Sequence, residues 1–154
     1  MNAHLRPATP ENEEEILALM IQVVGATVNE GDKADTIQNV KNNLEIWRTH
    51  PNNCVHLVME RKPRIVGVVL VKEFWNLCSL FVAPDMQRNG IGKRLVLAAL
   101  EACKGRSPRN EVLLNSAPTA VRFYTRLGFQ LRESNQELPP GYQPMRLQFT
   151  ESEA

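Results

Sequence analysis

Cysteine is scarce in this chain. Cys54, Cys78 and Cys103 are the only three, far apart and with no CxxC pair. That spacing excludes a disulfide-stapled scaffold, and the apolar runs around the thiols read as a reduced core. Histidine is equally sparse. His4, His50 and His56 form no cluster of zinc-ligand spacing with the cysteines, so no metal is expected. No excess charge of either sign is present: the formal net charge is +1. This argues against an extended nucleic-acid surface. The longest apolar runs, residues 65–71 and 95–100, are far too short to span a membrane. The first six residues carry no apolar stretch of signal-peptide type, so a cytoplasmic location is expected. No repeat, low-complexity tract or Pro/Ser linker interrupts the sequence. Residues 1–154 therefore read as one domain, with enough apolar content to bury a core unaided.

What is there alternates between helical and strand periods. Residues 4–8 read as a short edge strand. Thr9-Pro10-Glu11 carries a capping hydroxyl, a proline for the first helical position and an acid for the first turn. Ile16, Met20 and Val23 share one face of the helix that follows, with Leu17, Ile21 and Val24 beside them. Residues 25–33 read as a loop. Asp35 and Gln38 form a capping-box-like pair, and Ile37, Val40, Leu44 and Trp47 recur at helical spacing. His50-Pro51-Asn52 ends that helix. Residues 54–60 alternate, with Val55, Leu57 and Met59 on one face, and 65–71 are β-rich and apolar enough for a strand covered on both faces. Residues 77–82 form another strand. Residues 90–103 form a helix apolar nearly all round, and 111–115 a short strand. Residues 118–127 form a helix stopped by Gly128, and 129–133 and 143–150 are two last strands. The order is β-α-α-β-β-β-α-β-α-β-β, an α/β (α+β) arrangement with helices on the faces of a mixed sheet.

Residues 87–94, Gln-Arg-Asn-Gly-Ile-Gly-Lys-Arg, follow a strand and open a helix. The first helical amides lack internal partners, and the macrodipole places partial positive charge there. Gly90 and Gly92 remove the Cβ atoms that would block an approaching anion. Arg88, Lys93 and Arg94 add charge. A bound phosphate or pyrophosphate is the chemistry this suggests, against a plain helix cap with glycines for packing. Two rival phosphate motifs fail. The dinucleotide pattern needs glycine at Leu95, and the P-loop needs glycine at Gln87 and Ser or Thr at Arg94.

Residues 80–95, Leu-Phe-Val-Ala-Pro-Asp-Met-Gln-Arg-Asn-Gly-Ile-Gly-Lys-Arg-Leu, resemble the cofactor motif of the GNAT superfamily of N-acetyltransferases. A second family block is present at residues 115–129, Asn-Ser-Ala-Pro-Thr-Ala-Val-Arg-Phe-Tyr-Thr-Arg-Leu-Gly-Phe. Its form, with the Tyr142-Gln143-Pro144-Met145 ending, is similar to a bacterial branch whose substrates are mostly unassigned. The resemblance implies a GNAT-type mixed, mostly antiparallel sheet of six to seven strands flanked by about four helices.

The resemblance also implies acetyl-CoA as cosubstrate. Gln87, Arg88, Asn89, Gly90, Ile91, Gly92 and Lys93 would hold its pyrophosphate. Leu80, Phe81 and Val82 would splay from the neighbouring strand and pair with the pantetheine arm, an amide at Leu80 or Phe81 facing the thioester oxygen. Tyr124 would protonate the departing thiolate as general acid; otherwise it is a half-buried aromatic beside Phe123. Many relatives carry asparagine seven residues before the tyrosine. Ala117 stands there, and Asn115 or Ser116 would have to replace it. The acceptor would be a primary amine, of which about one molecule in a thousand is unprotonated near neutral pH. The strand 76–82 carries no acid, which leaves Glu73 just before it and Glu137 in the last hairpin as candidate bases, or a water route needing neither. Cys78 and His56 read as structural, which favours direct transfer. Three functions stay open: acetylation of a small amine, acetylation of a protein lysine or N-terminus, and a non-catalytic acetyl-CoA sensor. A homodimer is a further expectation, through short sheet edges.

Overall fold

A computed structural model describes residues 3–150. Its elements follow in the order β1 (His4–Pro7), α1 (Glu13–Thr27), α2 (Lys33–Thr49), β2 (Cys54–Arg61), β3 (Arg64–Lys72), β4 (Asn76–Val82), α3 (Ile91–Cys103), β5 (Glu111–Ser116), α4 (Val121–Arg126), β6 (Gln130–Leu131) and β7 (Gln143–Gln148). The seven strands form one sheet in the order β1-β2-β3-β4-β5-β7-β6. Every pairing is antiparallel except β4 with β5. The expected architecture is therefore present, with strands β1 and β6 at the two edges.

Several boundaries differ from the sequence reading. Residues 25–33 are not a loop. The helix α1 continues through Gly25 to Thr27, whose hydroxyl donates back to the Val23 carbonyl, and a 3-10 turn at Glu30–Asp32 leads into α2. Asp35 consequently lies in the first turn of α2 instead of capping it. At the start of α1, a 3-10 turn (Pro10–Asn12) comes first, held by Asn12 Oδ1 accepting from both the amide and the hydroxyl of Thr9. Strand β6 is two residues long, not five: beyond it the Arg132 amide still donates to Pro144 O of β7, but Pro144 has no N–H to return and the ladder ends. The helix α3 is amphipathic, with Leu97 44% exposed, so it is not apolar all round as its composition suggested.

Strand β2 is the most instructive correction. Its sequence alternates, yet both faces are buried: Val55 and Met59 on one side, His56 and Val58 on the other. His56 is polar in type only. Its ring packs edge-on to Trp47 of α2 at 4.2 Å, and neither nitrogen has a partner among the described residues. Helices α1 and α2 cover one sheet face, and α3 lies on the other. A Cβ at Gly67 of β3 would come within 2.9 Å of Ile91 and Leu95, which shows how closely α3 is pressed there. That contact fixes the position of the loop before α3.

Burial lowers the His56 pKa to about 4, because the charged ring would lose its hydration without gaining a partner. The unfolded chain has the ordinary value, near 6.5. Between those values the unfolded state binds more protons, so stability is complete above pH 6.5 and falls as pH drops toward 4. The expected loss is about 3 kcal/mol. The ring volume and the Trp47 contact are kept in His56→Phe, which removes the titrating group. Urea unfolding of both proteins from pH 7.5 to 4.5 should show the slope in the wild type and a flatter curve in the variant. Equal slopes would exclude His56 as its source.

Candidate active site

Strands β4 and β5 are joined at one point only. Asn76 pairs with Leu113, and the Leu113 amide donates to Trp75 O at 2.7 Å. From Leu77 onward the two parallel strands have no pairing, so the sheet opens toward the C-terminal end of β4. A bulge contributes to the parting. Leu70 pairs with Ser79 but Val71 pairs with Leu77, leaving Cys78 as the extra residue on β4.

The opening exposes specific backbone groups. The Ala83 amide donates to Val66 O on β3, and the register places Phe81 opposite Val68. In an antiparallel ladder donors alternate, so the Phe81 amide also faces β3 while those of Leu80 and Val82 face the seam. Of the two amides open from sequence, Leu80 is the one available.

A cleft of about 880 Å³ begins at this seam and runs to the N-terminus of α3. Residues 80–82, Gln87, Arg88 and 90–93 line it, together with Phe123 and Leu127 of the α4 segment and Val23 of α1. Gly90 caps α3 with a left-handed φ of 77°, and Arg88 is also left-handed at 68°. Alternation of this kind turns successive amides to one side, as an anion-binding concavity requires. Gly92 has a different task. A Cβ there would point at the Phe123 ring, 3.4 Å away, and at Val82, so its smallness sets the width of the cleft wall.

The electrostatics have one sign. Arg88, Lys93, Arg122 and Arg126 line the cleft, and no acidic side chain among the described residues does. The two arginines of α4 were missed in the sequence. The signal was there: they sit four apart and so share a helix face, on either side of Tyr124.

The remaining sequence candidates fall elsewhere. Asn89 braces the loop, its side-chain amide donating to Met86 O at 3.0 Å. Asn115 lies in a second, smaller recess. Glu73 is an exposed residue in the turn before β4, with φ 53°, at the end of the strand away from the glycine loop. Glu137 is exposed in the loop before β7. Tyr124 is buried, edge-on to Phe123 and Phe129 at 5.0 and 5.6 Å, and does not line the cleft. Burial raises its phenol above the ordinary tyrosine range, so it stays protonated. Desolvation likewise pushes the Cys78 thiol up to about 11, and its sulfur lies 3.6 Å from Leu70 O. It is not a thiolate at neutral pH.

Residues 26–148 match the family model described as an acetyltransferase (GNAT) domain. The chain belongs to this family. Acetyl transfer is thus its class of activity. Solved structures share the fold. PaiA N-acetyltransferase from Thermoplasma acidophilum, in complex with coenzyme A, is 16% identical with a TM-score of 0.76, covering 97% of this chain and 100% of its own. A GCN5-related N-acetyltransferase from Rhodopseudomonas palustris has a TM-score of 0.77 at 16% identity, covering 97% of each chain. YncA from Salmonella typhimurium, solved with its cofactor acetyl-CoA, is 20% identical with a TM-score of 0.73 over 98% of this chain and 96% of its own.

The two glycines of this GNAT loop should respond differently to alanine. At Gly90 a side chain meets open space but an unfavourable φ, which costs about 1–2 kcal/mol. At Gly92 alanine makes an ordinary contact with Phe123. Urea midpoints should therefore fall for Gly90→Ala and stay close to wild type for Gly92→Ala. The reverse ranking would reject this division of labour.

Proposed function

We propose that the chain transfers the acetyl group of acetyl-CoA directly to a primary amine on a small molecule. The observation that carries this reading is the cleft. Among the described residues it joins a glycine-opened helix N-terminus and four cationic side chains, with no acid, to a seam of unpaired strand amides. Pyrophosphate and ribose phosphate would meet residues 87–93, with Arg122 and Arg126 beside them. The pantetheine arm, an amide-bearing chain of low charge, suits the unpaired edge of residues 80–82. The Leu80 amide is the donor we assign to the thioester carbonyl oxygen, where negative charge develops on attack.

The acceptor must lose a proton to become nucleophilic. No carboxylate lines the cleft among the described residues, and Glu73 and Glu137 are exposed side chains outside its lining. We therefore assign the proton to water and not to either acid. Tyr124 is the proton donor for the leaving sulfur on the strength of its place in the family block. Its raised pKa makes complete transfer to a thiolate, whose conjugate acid has a pKa of about 8.5, strongly uphill. The phenol acts by hydrogen bonding to developing charge. Burial raises the Cys78 thiol to about 11, which makes it a poor nucleophile at neutral pH and favours one-step transfer.

Release of free thiol from acetyl-CoA across a panel of amines tests the activity. Gly92→Val would force a branched side chain past the 3.4 Å contact with Phe123 and narrow the cleft. We expect acetyl-CoA affinity to fall at least about tenfold, 1.4 kcal/mol, by calorimetry on the folded variant. Unchanged affinity would remove the cleft as the cofactor site. Tyr124→Phe keeps both ring contacts, so melting temperature and acetyl-CoA affinity should hold while kcat drops by about ten- to a thousand-fold. A kcat within about twofold of wild type, with chemistry rate-limiting, rejects Tyr124 as donor.

A further inference from the structure

A second recess, of about 290 Å³, opens at the other end of the β4–β5 seam. Its residues come from four separate segments. Trp75 and Asn76 lie at the start of β4, Arg109 in the loop before β5, Asn115 on β5, and Arg132 and Gln136 after β6. Strand register explains why they meet. Asn115 pairs with Pro144 of β7, and the Arg132 amide donates to the same Pro144 carbonyl at 3.0 Å, which brings both residues to one sheet face. Asn76 pairs with Lys72, whose Nζ donates to Asn43 of α2 at 2.9 Å, so this is the face that α1 and α2 cover further along.

The chemistry of the recess is lopsided. Two guanidiniums and three amides line it, and no acidic side chain among the described residues does. Neither Arg109 nor Arg132 has a carboxylate partner among the described residues. The Arg109 guanidinium carbon instead lies over the Trp75 ring, 3.8 Å from its centroid, and Asn115 donates to Gln136 Oε1 at 3.3 Å. The Nε of Arg132 is buried with no hydrogen-bond partner among the described residues. A buried N–H of a charged group without an acceptor is costly, and an arginine fork matches a carboxylate in two parallel bonds.

We infer that this recess receives the carboxylate of the acceptor, so that the substrate class is an amine that also bears a carboxylate group, of amino-acid size. The inference rests on the acetyl-transfer reading above, because it needs the amine to face the seam. The scale fits. Asn76 and Leu80 are four residues apart on β4, about 13 Å, which an amino acid and an acetyl-bearing arm can span between them. The volume is at the small end for ligand pockets, too small for a folded protein segment.

The test is calorimetric binding to the whole chain of N-acetyl-L-alanine, N-acetyl-L-methionine and N-acetyl-L-phenylalanine, each against its primary amide. Acetyl-CoA is titrated separately into the same preparations. At least one acid should bind about tenfold or more tightly than its amide. Arg132→Gln should remove that preference and Arg132→Lys should keep part of it, with acetyl-CoA affinity and melting temperature unchanged in both. Equal binding of acid and amide, including no detectable binding of either, overturns the proposal. So does a preference that survives Arg132→Gln. Failure of the wild type to bind acetyl-CoA, by contrast, overturns the acetyl-transfer reading and is visible on its own.

Discussion

The single pairing between β4 and β5 is the constraint on which the rest of this structure depends. A sheet with no break would satisfy every strand amide internally and leave nothing for a ligand. Here Asn76 and Leu113 hold the two halves together at one end, and the Cys78 bulge helps turn β4 away at the other. Unpaired strand edges normally invite aggregation or misregister. This one is internal and flanked by α3 and α4, so it is shielded from other chains and open to an extended small molecule. The cost of the unmade ladder is carried by the dense apolar packing of β2 and β3, whose interiors are buried on both faces.

The placement of charge follows from the same opening. The helix α3 can point its N-terminus at the mouth of the seam only because Gly67 lets it lie close to β3, and Gly92 lets Phe123 of α4 close the far wall. Once α3 and α4 are fixed, Arg88, Lys93, Arg122 and Arg126 converge without any carboxylate among them. Uncompensated positive charge disfavours the compact state, which makes the arrangement informative: it makes physical sense beside a polyanion.

How much of this could be read from the sequence depended on how local the signal was. The glycine loop, its charges and the helix after it were legible, because capping geometry and glycine spacing are encoded within eight consecutive residues. The element order was legible for the same reason. What escaped is what depends on partners distant in the chain. His56 was read as structural, but its cover was not legible: Trp47 of α2 lies edge-on to it. Residues 25–33 looked like a loop because of two glycines, but nothing at Gly25 demands a positive φ and the helix continues. Asn115 was offered in place of the family asparagine missing at Ala117, whereas the β5–β7 register carries it to the second recess. The choice between Leu80 and Phe81 required the β3 register, which no local pattern contains.

Tyr124 shows how burial changes the meaning of a motif residue. The same apolar surroundings that keep the phenol protonated also oppose formation of the phenolate, since desolvation penalises the charged form whichever way it is reached. A group in that position can lower a barrier by sharing its proton and cannot readily give it up. The acceptor side follows the opposite logic. On the proposed reading, with no carboxylate lining the cleft among the described residues, deprotonation of an amine would fall to solvent, and accurate placement of the acceptor would count for more than a tuned base. Placement needs a fixed, oriented anchor, and the proposed one is Arg109 over Trp75 beside Arg132, whose buried Nε has no partner among the described residues. The two proposals together would divide the work along one strand, with phosphate recognition where β4 parts from β5 and acceptor recognition where they are still joined.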